Sequence, residues 1–258
     1  MRRLWAVLIV VGCTAVAPIA ALREEPAPES CAVEDERPLD AVQVSEIAVA
    51  AAWHADDTEA PRGCRATLAA RGVRFDDASP SPTIVDPIKV APLLGDVTFR
   101  HVHDPKPRWL WVDCRFALRL HAATDLLRAR GVREVLHVGT YEPKCVGGGT
   151  PESRPGCTPS AHALGMAIDV VSLVTAHDDF VFERDFVKRG DATPTCETPR
   201  RGARDTFLKE LVCALDGTFN VLLTPNWDDR HKTHVHLALH PTAKAWWANG
   251  VDPQLAPE

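Results

Sequence analysis

Ser160-Ala-His162-Ala-Leu-Gly165-Met-Ala-Ile-Asp169-Val-Val171 is the stretch on which the fold turns. Its second half opens a run from Ala167 to Thr175 that is rich in Ile and Val and reads as a buried strand. One carboxylate, Asp169, interrupts that run. A carboxylate buried without a partner is costly, so Asp169 is expected to be paired or metal-bound. His162 lies seven residues earlier, a spacing that fits neither a helix face nor one strand face. It is therefore expected on a loop leading into the strand, with Gly165 supplying the bend or close backbone approach such a loop needs.

A second stretch, His231-Lys-Thr-His234-Val-His236, lies far downstream. A last strand is expected from Thr233 to Leu239, on which His234 and His236 share one face. A single histidine on a strand is more often a hydrogen-bonded core or surface residue than a ligand. The combination of a loop histidine, a carboxylate in an apolar strand and a histidine pair resists that reading. Imidazoles plus one carboxylate make up the ligand set of a zinc site that keeps one position open. Copper and non-haem iron use related ligands, but zinc needs no redox partner.

Around these stretches the spacing predicts an α+β domain. Helices are expected at about 40–54, 62–71, 112–130 and 203–215. Val112, Phe116, Leu120, Ala123 and Leu127 give the third its stripe, and Gly131 stands where it should end. Strands are expected at 73–75, 132–141, 167–175, 220–224 and 233–239. Residues 79–92, with several prolines among Ile and Val, read as edge strands and loops. Gly147 to Pro159 and Lys188 to Gly202 read as long loops. The absence of regular βαβ alternation argues for a largely antiparallel sheet.

The chain has 258 residues, 45% hydrophobic and 25% charged, as in ordinary globular proteins. Its net charge of −6 gives no footprint for nucleic acid and little attraction to anionic lipid. Met1-Arg2-Arg3 followed by an apolar run to Leu22 reads as an export signal over residues 1–22. Val10-Val-Gly12-Cys13 resembles a lipobox with Cys13 as the lipidated residue; cleavage near Ala17–Ala21 or retention as an anchor are the alternatives. Membrane contact is expected only through that lipid or anchor. Residues 23–39, rich in Glu, Pro and Ala, read as a disordered spacer, and residues 40–258 as one domain. Of eight cysteines, seven follow Cys13, irregularly spaced and without CxxC, which favours disulfides in an oxidising compartment. Cys145 and Cys157, flanking a Gly/Pro-rich loop, are the first pair expected, and the odd count leaves one thiol over.

The block Ser160-x-His162-x-x-Gly165-x-Ala167-x-Asp169, followed by His234-x-His236, resembles the signature of the LAS metallopeptidases. More closely, the chain is similar to the extensin-like C-terminal domain family. Gly139-Thr-Tyr141 with Cys145, Cys213 before Phe219-Asn-Val-Leu-Leu-Thr-Pro225, and His231-x-x-His234-x-His236-Leu carry the rest of that likeness, which spans about Cys64 to Leu239. The resemblance implies a LAS-type core, a small antiparallel sheet flanked by helices with long loops. It implies one Zn2+ held by His162, Asp169 and His236, with His234 and His231 left for catalysis, His231 at the rim. Tyr141, Ser160 and Lys144 are then expected to contact substrate. Ala161, Met166 and Val146 depart from the usual Glu, Asn and Arg of the family, and Thr233 stands where some relatives keep a Glu base. Lys144 or Arg154 could stand in for the Arg.

Export and resemblance together point to peptidoglycan peptides as substrate and to the bacterial cell envelope as location. The expected activity is that of a zinc peptidase acting on cross-links or stems, as an endopeptidase or carboxypeptidase. A zinc-stabilised, non-catalytic wall-binding module and a periplasmic metal-binding protein are the competing expectations.

Overall fold

In the computed structural model, residues 61–239 are described. The export signal expected at 1–22 with Cys13, the spacer expected at 23–39 with Cys31, and the helix expected at 40–54 lie outside them. Helix α1 (Pro61–Ala70) leads to strand β1 (Phe75–Asp77), and β2 (Pro87–Val90) follows. Then come β3 (Leu93–Leu94), β4 (Val97–His101), β5 (Leu110–Asp113) and α2 (Cys114–Ala129). The second half holds β6 (Glu134–His137), β7 (Ala167–Val174), β8 (Asp179–Val181), the short α3 (Phe182–Asp185) and α4 (Gly202–Ala214). Strand β9 (Val221–Leu223), a 3-10 turn (Asp229–His231) and β10 (Val235–Ala238) close it. The class is α+β, as expected.

Two sheets form. The smaller has the order β1-β2-β5; the larger runs β3-β4-β6-β7-β10-β9, with β8 also paired to β7. All pairs are antiparallel except β4 with β6. Two expectations need correction. β2 is the middle strand of its sheet, not an edge; its proline, Pro87, stands at the strand's first residue, where a missing N–H disturbs the ladder least. Val112 is strand, not helix, because Leu110–Asp113 pairs with β2 and the Asp113 carboxylate accepts from the Arg115 N–H to cap α2 one residue later.

Alternation along β7 and β10 decides which side of the large sheet is core. Ile168, Val170, Val235 and Leu237 point to one face, where Leu120, Ala123 and Leu127 of α2, Leu211 and Val212 of α4 and the following Leu215 enclose them. Each such side chain contributes roughly 1.5–3 kcal/mol when fully buried. Asp169 and His236 occupy the opposite face, directly paired in register. Only the small side chains Ala161, Ala167 and Ala238 cluster beside them, with Val221 against them.

Three disulfides brace the elements: Cys64–Cys114 ties α1 to α2, Cys145–Cys157 closes the glycine-rich loop as expected, and Cys196–Cys213 pins the long 188–201 loop to α4. They point to an oxidising compartment outside the cytosol. Among the described residues, no helix is long and apolar enough to cross a membrane.

Candidate metal centre

The turn that carries His162 is fixed from two sides. The Asp113 N–H donates to the Gly165 carbonyl at 2.9 Å, and the Thr83 hydroxyl donates to the carbonyl of Ala163. Gly165 has φ +65°, and a Cβ there would lie 2.8 Å from the Asp113 nitrogen and 2.9 Å from Ile84 Cδ1. Both demands, a left-handed backbone and a close approach, select glycine. Ser160 belongs to the same turn, its Oγ accepting from the Ala163 N–H at 3.2 Å. The chain then enters β7, which delivers Asp169.

His162, Asp169 and His236 converge. His162 Nε2 lies 3.2 Å from Asp169 Oδ2 and 3.2 Å from His236 Nδ1, and His236 Nδ1 lies 2.8 Å from Asp169 Oδ1. Zinc bonds of ~2.0–2.1 Å at tetrahedral angles hold donor atoms roughly 3.3 Å apart, so the three donors already have nearly the spacing such an ion requires. His162 Nδ1 donates to the Thr140 carbonyl at 3.3 Å, which leaves Nε2 as the free lone pair. A partner of this kind on the far ring nitrogen is the usual support of a metal-binding histidine. Among the described residues, this is the one such group of three His, Cys, Asp or Glu side chains.

Charge in the cluster is tightly arranged. Burial pushes the Asp169 carboxyl upward, but hydrogen bonds from His162 and His236 and their charge outweigh it and hold it far below the usual carboxylate range. Burial opposes a proton on His162 as well, yet the hydrogen bond and charge of Asp169 raise it above an ordinary imidazole. His236 goes the other way, lowered by its deeper burial despite the same carboxylate.

His234 and His231 complete the surroundings. His234 stands just before β10 rather than in it, and its Nε2 lies 3.6 Å from Asp169 Oδ1. His231 ends the 3-10 turn, with its ring centroid 5.2 Å from that of His234 and 6.1 Å from that of His236. It is not a rim residue: its side chain is 15% exposed, against 14% for His162 and 12% for His236. Burial lowers both His231 and His234 below the ordinary imidazole range.

The remaining sequence candidates are placed as follows. Tyr141 follows Thr140 directly, and its ring lies 4.5 Å from that of Trp111, whose carbonyl accepts from the Thr140 hydroxyl. Lys144 is exposed and paired with Glu142 at 2.7 Å. Arg154 donates within its own loop, to the carbonyls of Val146 and Gly148. Sequence reasoning missed Asp228, which accepts from His231 Nδ1 at 2.6 Å. Its position three residues before His231 in a polar stretch was the available signal. It also missed Trp111, one residue before the helix expected at 112–130 and in fact part of β5.

The five residues of this cluster fall within one matched segment. A family model described as extensin-like protein C-terminus matches residues 108–248, while no curated protein and no solved structure matches the chain. The segment covers more than half of the 258 residues and includes every residue of the candidate centre, so the chain belongs to the extensin-like protein C-terminus family.

Proposed function

We propose that the protein is a zinc-dependent peptidase of the bacterial cell envelope that hydrolyses peptide bonds of peptidoglycan. The observation that carries this reading is the convergence of His162, Asp169 and His236 at tetrahedral spacing, with two further histidines, His234 and His231, beside them and not needed to hold a metal. A purely structural zinc site is closed by four protein ligands, whereas a catalytic one keeps a position open. Zinc bound there would supply Lewis acidity to a scissile carbonyl and lower the pKa of water.

The chain's own residues do the rest. Asp169 balances positive charge and orients both ligand imidazoles. Thr140 fixes the tautomer of His162. His234 and His231, both partly buried and disposed toward neutrality, are suited to take up or donate a proton near the reacting carbonyl. Tyr141, Ser160 and Lys144 lie on the segments next to His162 and are assigned here to contact with the peptide. Resemblance to LAS peptidases, the export signal and the disulfides support a wall substrate.

The test is direct. Purified protein is incubated with peptidoglycan sacculi with and without added zinc, and the released fragments are read by mass spectrometry. Zinc-dependent release of peptide fragments, abolished in His162→Ala, is expected. Stoichiometric zinc with sacculus binding but no release would replace this reading with that of a non-catalytic wall-binding module.

A further inference from the structure

We propose that Asp228 is a positioning residue that makes His231, rather than His234, the proton-transfer group of the site. The inference rests on the peptidase reading above and divides the labour of its two spare histidines.

The geometry around Asp228 is specific. Its Oδ1 accepts from His231 Nδ1 at 2.6 Å and also from the backbone N–H groups of Arg230 at 2.9 Å and His231 at 3.0 Å. Its Oδ2 accepts from Arg230 Nε at 3.0 Å, and Arg230 Nη2 lies at the same distance. With both oxygens engaged, the carboxylate has little freedom to turn. An ionised carboxylate only accepts, so His231 must carry its proton on Nδ1, which leaves the Nε2 lone pair unclaimed by this contact. The ring packs against His234 and His236, on the side of the metal cluster.

His234 is supported differently. Its Nδ1 lies 3.2 Å from the Thr233 hydroxyl, which can donate or accept and so does not fix a tautomer. The carboxylate nearest to it is Asp169, at 3.6 Å, already shared by the two ligand histidines. Of the two spare histidines, only His231 has a carboxylate of its own to stabilise the imidazolium that proton transfer creates. The sequence of steps then balances. As the water oxygen bonds to the scissile carbon, its proton passes to His231 Nε2. As the C–N bond breaks, the same proton passes from Nε2 to the departing nitrogen, which leaves as an amine. Asp228 keeps its hydrogen bond from Nδ1 throughout and takes no proton. His234 is left to hydrogen-bond the oxyanion.

A simpler role for Asp228 is to cap the 3-10 turn at Asp229–His231, since it accepts from two of that turn's N–H groups. Asp228→Ser separates the two roles. Serine is an equally good cap, but its hydroxyl is too short to hold the ring as well. Asp228→Asn keeps an oxygen acceptor at the ring and removes the charge.

Two measurements on the zinc-loaded full chain decide the matter. The first is the 15N shifts of the His231 ring nitrogens. They should report Nδ1–H in the wild type and in Asp228→Asn, and a tautomer mixture in Asp228→Ser. The second is steady-state kinetics on a cross-linked muropeptide. Asp228→Ser should lower kcat by about 10²-fold, the lower end of the range for general acid–base catalysis, with KM and zinc content unchanged. The Asn variant should lose less. Asp228→Ser combined with His231→Gln should be no slower than His231→Gln alone, because the two residues act as a unit. An unchanged tautomer in Asp228→Ser, an undiminished kcat, or losses that multiply in the double variant would each overturn the proposal. If the wild type cleaves no muropeptide, the peptidase reading fails, and the tautomer measurement still decides whether Asp228 sets His231.

Discussion

Asp205 and Asp169 are both drawn into the body of this protein, and they are treated in opposite ways. Asp205, on α4, is 1% exposed and has every demand met. It accepts from the Val187 and Arg201 N–H groups at 2.8 and 2.7 Å and from Lys209 Nζ at 3.0 Å, and Lys209, itself 0% exposed, also donates to the Val187 carbonyl. Asp169, on β7, is met by imidazoles: His162 and His236 lie within 3.2 Å and His234 at 3.6 Å. Lysine is a cation with no lone pair to offer while protonated, so the Asp205 pair can only hold chain to chain. Imidazoles can give up their protons and turn lone pairs to a common point, so the Asp169 group can accept a cation. The first arrangement is a clamp between α4 and the 182–201 segment; the second is a site.

The largest expected effect follows from removing the carboxylate of the site. Asp169→Asn should lose stoichiometric zinc, with affinity down by more than about 100-fold, since disturbing outer partners of a metal ligand alone costs 10–100-fold. Peptide release should fall to background while the melting temperature of the metal-free protein stays near that of metal-free wild type. Full zinc content in this variant, read by atomic emission, would erase the distinction between the two aspartates.

The clamp should respond the other way. Lys209→Ala leaves Asp205 buried without its counter-charge, which costs about 3–5 kcal/mol. Urea unfolding should show that loss, with zinc content intact at permissive temperature. A loss of zinc in step with stability would mean that the clamp also supports the site, a link for which the Lys188–Asp229 ion pair, next to Asp228, gives a route.

How much of this contrast was legible in the sequence differs between the two. Asp169 announced itself because an apolar, β-branched run tolerates a carboxylate only with a partner, and the His-x-His spacing of a strand supplied one. The loop placement of His162 followed from a seven-residue gap and a glycine. Asp205 and Lys209 announced nothing: four residues apart on a helix, they have the spacing of an ordinary surface ion pair. Their burial depends on Val187 and Arg201 folding over them, which no local pattern encodes. The same limit hid β4, where only Val97 and Phe99 are buried and pairing is with the distant β6. It also hid the middle position of β2, because the prolines in and around it read as edge signals until β5 supplied the second neighbour.

His137 is the third case, a buried titratable group with no carboxylate held against it. It is 5% exposed, and burial, reinforced by the charge of His101, pushes it down to about 4. The unfolded chain therefore binds a proton more readily than the folded one between about pH 6.5 and pH 4. Stability should be complete above that window and decline as pH falls through it, by up to about 3 kcal/mol. His137→Gln should flatten this part of the profile. A wild-type stability independent of pH across the window would show that His137 finds a partner on protonation.

The mildest test sharpens the site itself. Because Asp169 raises the affinity of His162 for a proton, proton and zinc would compete for the same Nε2 under the proposed function. A group raised in this way holds its proton to higher pH than a free imidazole, so a metal ion would have to displace that proton wherever His162 is protonated. Zinc affinity should then fall as pH drops, by about tenfold per unit for one displaced proton, equivalent to ~1.4 kcal/mol. Competition with a chromogenic chelator between pH 5.5 and 8 measures the slope. In Thr140→Pro or similar backbone changes the carbonyl would shift with the chain, so the cleaner control is His162→Gln, which removes the competing proton together with the ligand. A slope of zero in the wild type would place the zinc ligand elsewhere than His162 Nε2. A slope of two protons would bring in a second histidine that is protonated before the metal arrives, and His236, lowered by its burial, is expected not to be that histidine.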